Sequence, residues 1–189
     1  MLTRLFALVL TIAIAGSAHA QRYDRDLFIT TWPDADGDCL NTRHEMLAAQ
    51  ATRVTSMTGG GCRVDRGRWY DPYSDTWLLD ARDLDIDHVI PLKYAWDRGA
   101  RDWTPEKRRA FAMDARFLLP VRSDLNRAKG ARGPVDWLPP NAAYHCEYVL
   151  RFRRGVLTYG LVLSTFESAQ LIAVQTRACG GRDITLAAN

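Results

Sequence analysis

The chain opens on an apolar run over positions 5–15, preceded by Arg4 and followed by Ala18-His19-Ala20. A basic start, a short apolar stretch and a small-x-small ending predict a cleaved export signal at 1–20, too short to span a bilayer. No later stretch approaches the roughly 20 apolar residues that a membrane helix requires, so no membrane partner is expected. The rest, 21–189, shows no internal repeat, low-complexity tract or linker and reads as one domain.

Within that domain the period of the apolar positions changes several times. Asp34-Ala35-Asp36-Gly37-Asp38 reads as a turn, and Thr42-Arg43-His44-Glu45 has the capping-box form, which predicts a helix from 42 to about 56. Gly59-Gly60-Gly61 ends that region. Aromatic stretches around Asp71-Pro72 predict a hairpin over 69–79, followed by a strand over 84–89. Pro91 suits the first turn of a short helix stopped by Gly99, and Thr104-Pro105 starts another that runs to about 113. A second apolar strand is expected over 117–121. Ser123 then caps a brief helix, 124–129, closed by Gly130. Residues 156–163 have strand composition, and Ser164-Thr165-Phe166-Glu167 opens a last helix that ends at Gly180. The sum is a small α+β domain.

Composition changes this picture in two places. The four cysteines, Cys39, Cys62, Cys146 and Cys179, form an even set in an exported chain, which favours disulfides. Of the three pairings open to four cysteines, Cys39–Cys62 with Cys146–Cys179 is preferred because each closes a local loop. No two cysteines stand at C-x-x-C spacing, which argues against zinc. The net charge of +3 is modest, yet 98–132 holds ten lysines and arginines against four acids. That excess points to a polyanionic partner, although a solvated helix face accounts for part of it.

The candidate chemistry lies at Asp87-His88. Successive strand residues face opposite sides, so the pair serves one site only if the chain bends there, and Pro91 makes a bend reasonable. Downstream, Asn126, Arg127 and Lys129 fall within one helical turn. Asp and Asn oxygens are hard ligands of the kind Mg²⁺ prefers, so a divalent metal beside His88 is expected. Alone, an Asp-His pair is weak evidence of catalysis. His44 and His145 read as structural or exposed. Acids at Asp34, Asp36, Asp38 and Glu45 imitate a calcium loop, but Cys39 stands where such a loop wants glycine, and a turn leading into a helix is preferred.

The ordered set Asp87-His88-Val89-Ile90-Pro91-Leu92, Ala95-Trp96, Gly99-Ala100, Leu118-Leu119-Pro120-Val121, Asn126-Arg127-Ala128-Lys129-Gly130 and Trp137-Leu138-Pro139-Pro140 resembles the secreted HNH endonucleases. Their domain also occurs at the C-terminal end of Gmr-type restriction enzymes. The resemblance extends to Gly37-Asp38-Cys39, Thr42-Arg43, Asp71-Pro72-Tyr73, Cys146 and Tyr148, covering most of the mature chain. It implies a ββα-metal core at about 84–130, with His88 as general base and Asp87 and Asn126 as ligands of one Mg²⁺. Arg127 and Lys129 would meet flanking phosphates. Apart from the resemblance, Arg43 could reach a phosphate or equally pair with an acid. The middle asparagine of the HNH pattern is replaced by Phe117, which puts the loop geometry in question.

The function that follows is an exported, monomeric, metal-dependent endonuclease acting on DNA, or on RNA, with little sequence specificity. Two other readings stay open: an exported nucleic-acid-binding protein without catalysis, and a calcium-stabilised extracellular interaction domain.

Overall fold

The computed structural model describes residues 21–180, and the expected export signal at 1–20 lies outside them. The element order is α1 (Thr42–Gln50), β1 (Arg53–Thr58), β2 (Arg63–Asp71), β3 (Thr76–Asp80), β4 (Leu84–His88), α2 (Leu92–Trp96), α3 (Pro105–Ala112), β5 (Leu118–Arg122), α4 (Ser123–Lys129), α5 (His145–Tyr159) and α6 (Thr165–Ala178). This is a small α+β domain with two antiparallel sheets, ordered β1-β2-β3 and β4-β5. Among the described residues no helix is long and apolar enough to cross a membrane.

Two apolar clusters form the core. Met46, Leu47, Val64, Trp69, Leu84, Ile86 and Leu118 pack where α1 and the inner face of the three-stranded sheet meet β4 and β5. A larger cluster gathers Val89, Ile90, Leu92, Phe117, Tyr148, Phe152 and Leu171 around α2, α5 and α6. The β4-β5 pair lies between the clusters. Its register sets Asp87 opposite Leu119 and His88 opposite Leu118, so the end of β4 is packed on both sides.

Several elements differ from the sequence reading. The first helix ends at Gln50, and its cap is Asn41, whose side chain accepts from the His44 N–H at 3.2 Å; Thr42 instead donates to the Pro33 carbonyl at 3.0 Å. Residues 53–56, expected as helix, belong instead to β1, which pairs with β2 and suits its β-branched Val54, Thr55 and Thr58. Residues 156–163, expected as a strand, contain the last turn of α5. Buried Tyr148, Val149, Phe152 and Val156 continue one helical stripe, and that packing overrides local strand propensity. Ser123 lies inside the first turn of α4 and does not cap it. Thr104 and Ser164 cap as expected, Ser164 within a complete capping box with Glu167.

The two disulfides are Cys39–Cys62 and Cys146–Cys179. The first ties the turn before α1 to the β1–β2 connection. The second ties the start of α5 to the end of α6.

Candidate active site

β4 ends at His88, and the chain bends immediately afterwards, where Val89 donates its N–H to the Phe117 carbonyl at 2.9 Å. That bend lets neighbours of opposite strand parity line one open cleft of about 480 Å³, together with Asp85, Asn126, Arg25, Trp32 and Arg43. Phe117 is itself buried in the larger core. Its backbone carbonyl holds the end of β4, so this loop closes without a side-chain amide at that position.

His88 is held on two sides. Its Nε2 lies 3.0 Å from the Ala112 carbonyl, and its ring stacks on Trp32 at 5.6 Å with planes 10° apart. A carbonyl oxygen can only accept, so Nε2 carries the hydrogen and Nδ1 keeps the lone pair. Burial, and secondarily the Arg25 guanidinium, lower the His88 pKa to about 4. The ring is therefore neutral near pH 7, as a proton acceptor must be.

Asp87 is placed otherwise than a metal ligand would be. It is 4% exposed, and both its oxygens accept from the Lys129 ammonium, at 2.7 and 2.6 Å. Oδ2 also accepts from the Tyr73 hydroxyl at 2.6 Å. The third Lys129 donor goes to the His88 carbonyl at 2.7 Å. Burial pulls the Lys129 pKa down and the Asp87 carboxylate pulls it back. Three donors on three close acceptors favour the ammonium form. Lys129 is fully buried, so the expectation that it meets a phosphate is corrected: it fastens α4 to β4.

Two strand positions earlier, and so on the same side as Asp87, Asp85 is only half-buried and accepts from Asn126 Nδ2 at 3.1 Å. Asn126 Oδ1 stays available. An Asp oxygen and an Asn oxygen side by side on the cleft wall fit a hard divalent cation, whereas the occupied oxygens of Asp87 do not. Arg43 gives Nη2 to the carbonyls of Ala81 and Leu84, both at 2.9 Å, and lines the same cleft. Arg127 is exposed on α4 and lies outside the cleft lining. His145 pairs with the Pro139 carbonyl at 2.7 Å, and buried His44 accepts from the Val64 N–H at 3.1 Å, so both are structural. Trp32, Arg25, Tyr73 and Asp85 are the site residues that sequence reasoning missed. For Asp85 a signal existed in the alternation of Asp85 and Asp87 along one strand face.

At the Asp34–Asp38 turn, three carboxylate oxygens lie within 4.8 Å of one another. Asp34 accepts from the N–H groups of Gly37 and Cys39, at 2.8 and 3.0 Å, the work of a tight turn leading to α1.

An uncharacterized secreted protein of Arthroderma benhamiae is 36% identical over 154 residues, covering 80% of this chain and 74% of that protein. No solved structure matches. Residues 42–174 match the family model for the C-terminal domain of GmrSD restriction endonucleases, and with a match over most of its length the chain belongs to that family.

Proposed function

We propose that the protein is an exported, monomeric endonuclease that hydrolyses phosphodiester bonds of DNA with little sequence specificity, using a divalent metal, most simply Mg²⁺. The observation that carries this reading is His88, its Nε2 3.0 Å from the Ala112 carbonyl, beside an Asp85–Asn126 pair in an open, arginine-lined cleft. His88 Nδ1 takes the proton of the attacking water, the new P–O bond forms, and the opposite P–O bond breaks. The leaving oxygen is protonated from solvent. A metal on Asp85 and Asn126 would neutralise charge on the phosphate and the leaving oxygen. Arg43 and Arg25 stand where flanking phosphates would run, and contacts of that kind bind without reading sequence. Export is supported by the secreted relative and by two disulfides.

The test is nicking of supercoiled plasmid with Mg²⁺ and with EDTA, alongside an RNA substrate. His88→Ala should lose roughly 10²- to 10⁴-fold in rate. Wild-type nicking by that variant, or binding without cleavage by the intact protein, would overturn the enzyme reading. Mn²⁺ binding followed by electron paramagnetic resonance separates the ligands: Asp85→Asn and Asn126→Ala should weaken it. Unchanged affinity in both variants would remove them as ligands.

A further inference from the structure

The outer face of the three-stranded sheet carries side chains that the fold does not need. Its inner face supplies Val64 and Trp69 to the core, with Leu78 packed against them. On the outer side, Tyr70 and Trp77 stand directly opposite each other on β2 and β3, 42% and 45% exposed, with ring centroids 5.5 Å apart. Across β1 and β2, Arg53 sits opposite Arg68. Like charges directly opposite disfavour a sheet, and among the described residues neither guanidinium has a carboxylate within ion-pair distance. The Arg68 guanidinium lies over the Trp77 ring at 3.9 Å, so cation and aromatic form one surface.

This surface leads toward the cleft. Trp77 shares a groove with Arg122 and Ser123, where α4 begins, and Asn126 lies one turn further along that helix. Of the acids nearby, Asp75 accepts from the Tyr70 hydroxyl, Asp80 holds Arg66 and Arg82, and Asp124 holds Arg122, while exposed Asp83 lines the same groove.

We infer that the outer sheet face binds a single-stranded stretch of the nucleic-acid substrate, with bases stacked on Tyr70 and Trp77 and phosphates on Arg53 and Arg68. Exposed rings beside unpaired cations are the chemistry that holds an unpaired strand, because every base offers a face to stack and every link a charge. A duplex hides its base faces and gains only the charge. The inference rests on the nuclease reading of the cleft and extends the substrate path beyond it.

The test is fluorescence anisotropy with a labelled single-stranded oligodeoxynucleotide and with its duplex, in EDTA so that nothing is cut. A Tyr70→Ala/Trp77→Ala double variant should raise the single-strand Kd by about tenfold or more, with duplex binding changed by less than about twofold. Trp77→Phe, which keeps a ring, should retain single-strand binding and so separates stacking from damage to the sheet. An Arg53→Ala/Arg68→Ala variant should flatten the logarithmic salt dependence by roughly 0.7 per lost contact. Equal losses on single strand and duplex, no loss in the double alanine variant, or failure of Trp77→Phe to bind would each overturn the inference. Plasmid nicking by wild type tells the two proposals apart: nicking with no effect of the ring variants sinks this one alone, and strand binding without any nicking sinks the nuclease reading alone.

Discussion

Lys129 and Arg127 share one short helix, carry the same charge and sit two positions apart, yet the fold gives them opposite environments. Lys129 is enclosed with Asp87, whereas Arg127 faces solvent. Removing one partner of a buried ion pair leaves the other uncompensated, so Lys129→Ala should cost about 3–5 kcal/mol in urea denaturation. Arg127→Ala should change stability by less than about 0.5 kcal/mol. Comparable losses in the two variants would contradict the burial assigned to Lys129. His44 gives the pH dependence at this scale. Burial, then Arg43 and Arg63, lower its pKa, so at neutral pH it is uncharged in folded and unfolded chains alike. As pH falls through about 6.5, the unfolded chain takes up a proton that the folded site resists, and stability declines. Protonation also ends acceptance of the Val64 N–H. His44→Asn, whose amide oxygen can take that N–H, should show a flatter melting profile between pH 7.5 and roughly pH 5; identical slopes would discount His44. His88, with its pKa also lowered, adds to the decline in both proteins and cancels in the comparison. Asp87, His88 and Asn126 stand out in the sequence as candidates because they lie within short ordered motifs. Trp32, Tyr73 and Arg25 reach the site from separate segments, and no local pattern records where tertiary packing brings them.

Among the elements, α5 departs furthest from the local pattern of its sequence. Val156, Leu157 and Tyr159 look like strand residues, but in the fold they close a helix in which Gly155 is interior. A Cβ there would lie 2.0 Å from Ile90 Cδ1 and 3.1 Å from the Phe117 ring, so this glycine marks where α5 approaches the chain just past His88. In an open helix, Gly→Ala would stabilise by about 1 kcal/mol. Here overpacking should win, and Gly155→Ala should lower stability by about 1–3 kcal/mol. Net stabilisation in thermal denaturation would show that Ile90 yields easily. The strands and caps that read correctly, β4, β5, Thr104 and the Ser164–Glu167 box, depend on neighbours in sequence. The error at 156–163 depended on a helical stripe that begins at Tyr148, outside the window that suggested a strand.

For the whole molecule, the two disulfides flank the β4–α4 segment, one before it and one after it in the chain. Losing a native disulfide from a small secreted domain typically costs about 2–5 kcal/mol, against a total stability of about 5–15 kcal/mol. Reduction should therefore lower the melting temperature and the nicking activity together. Full activity with all thiols free would refute that coupling. The pairing was legible because each bridge closes a short loop; the acidic turn beside Cys39 was legible as a turn for the same local reason.

Trp32, which covers one face of His88, lies ten residues before the span shared with the GmrSD C-terminal domain, and Arg25 lies further upstream. A protein trimmed to the shared span would keep His88, Asp85 and Asn126 while opening the imidazole to water. The ring's basicity would then drift back toward that of free histidine. Where the family match stops and where the candidate site stops are two different places along this chain.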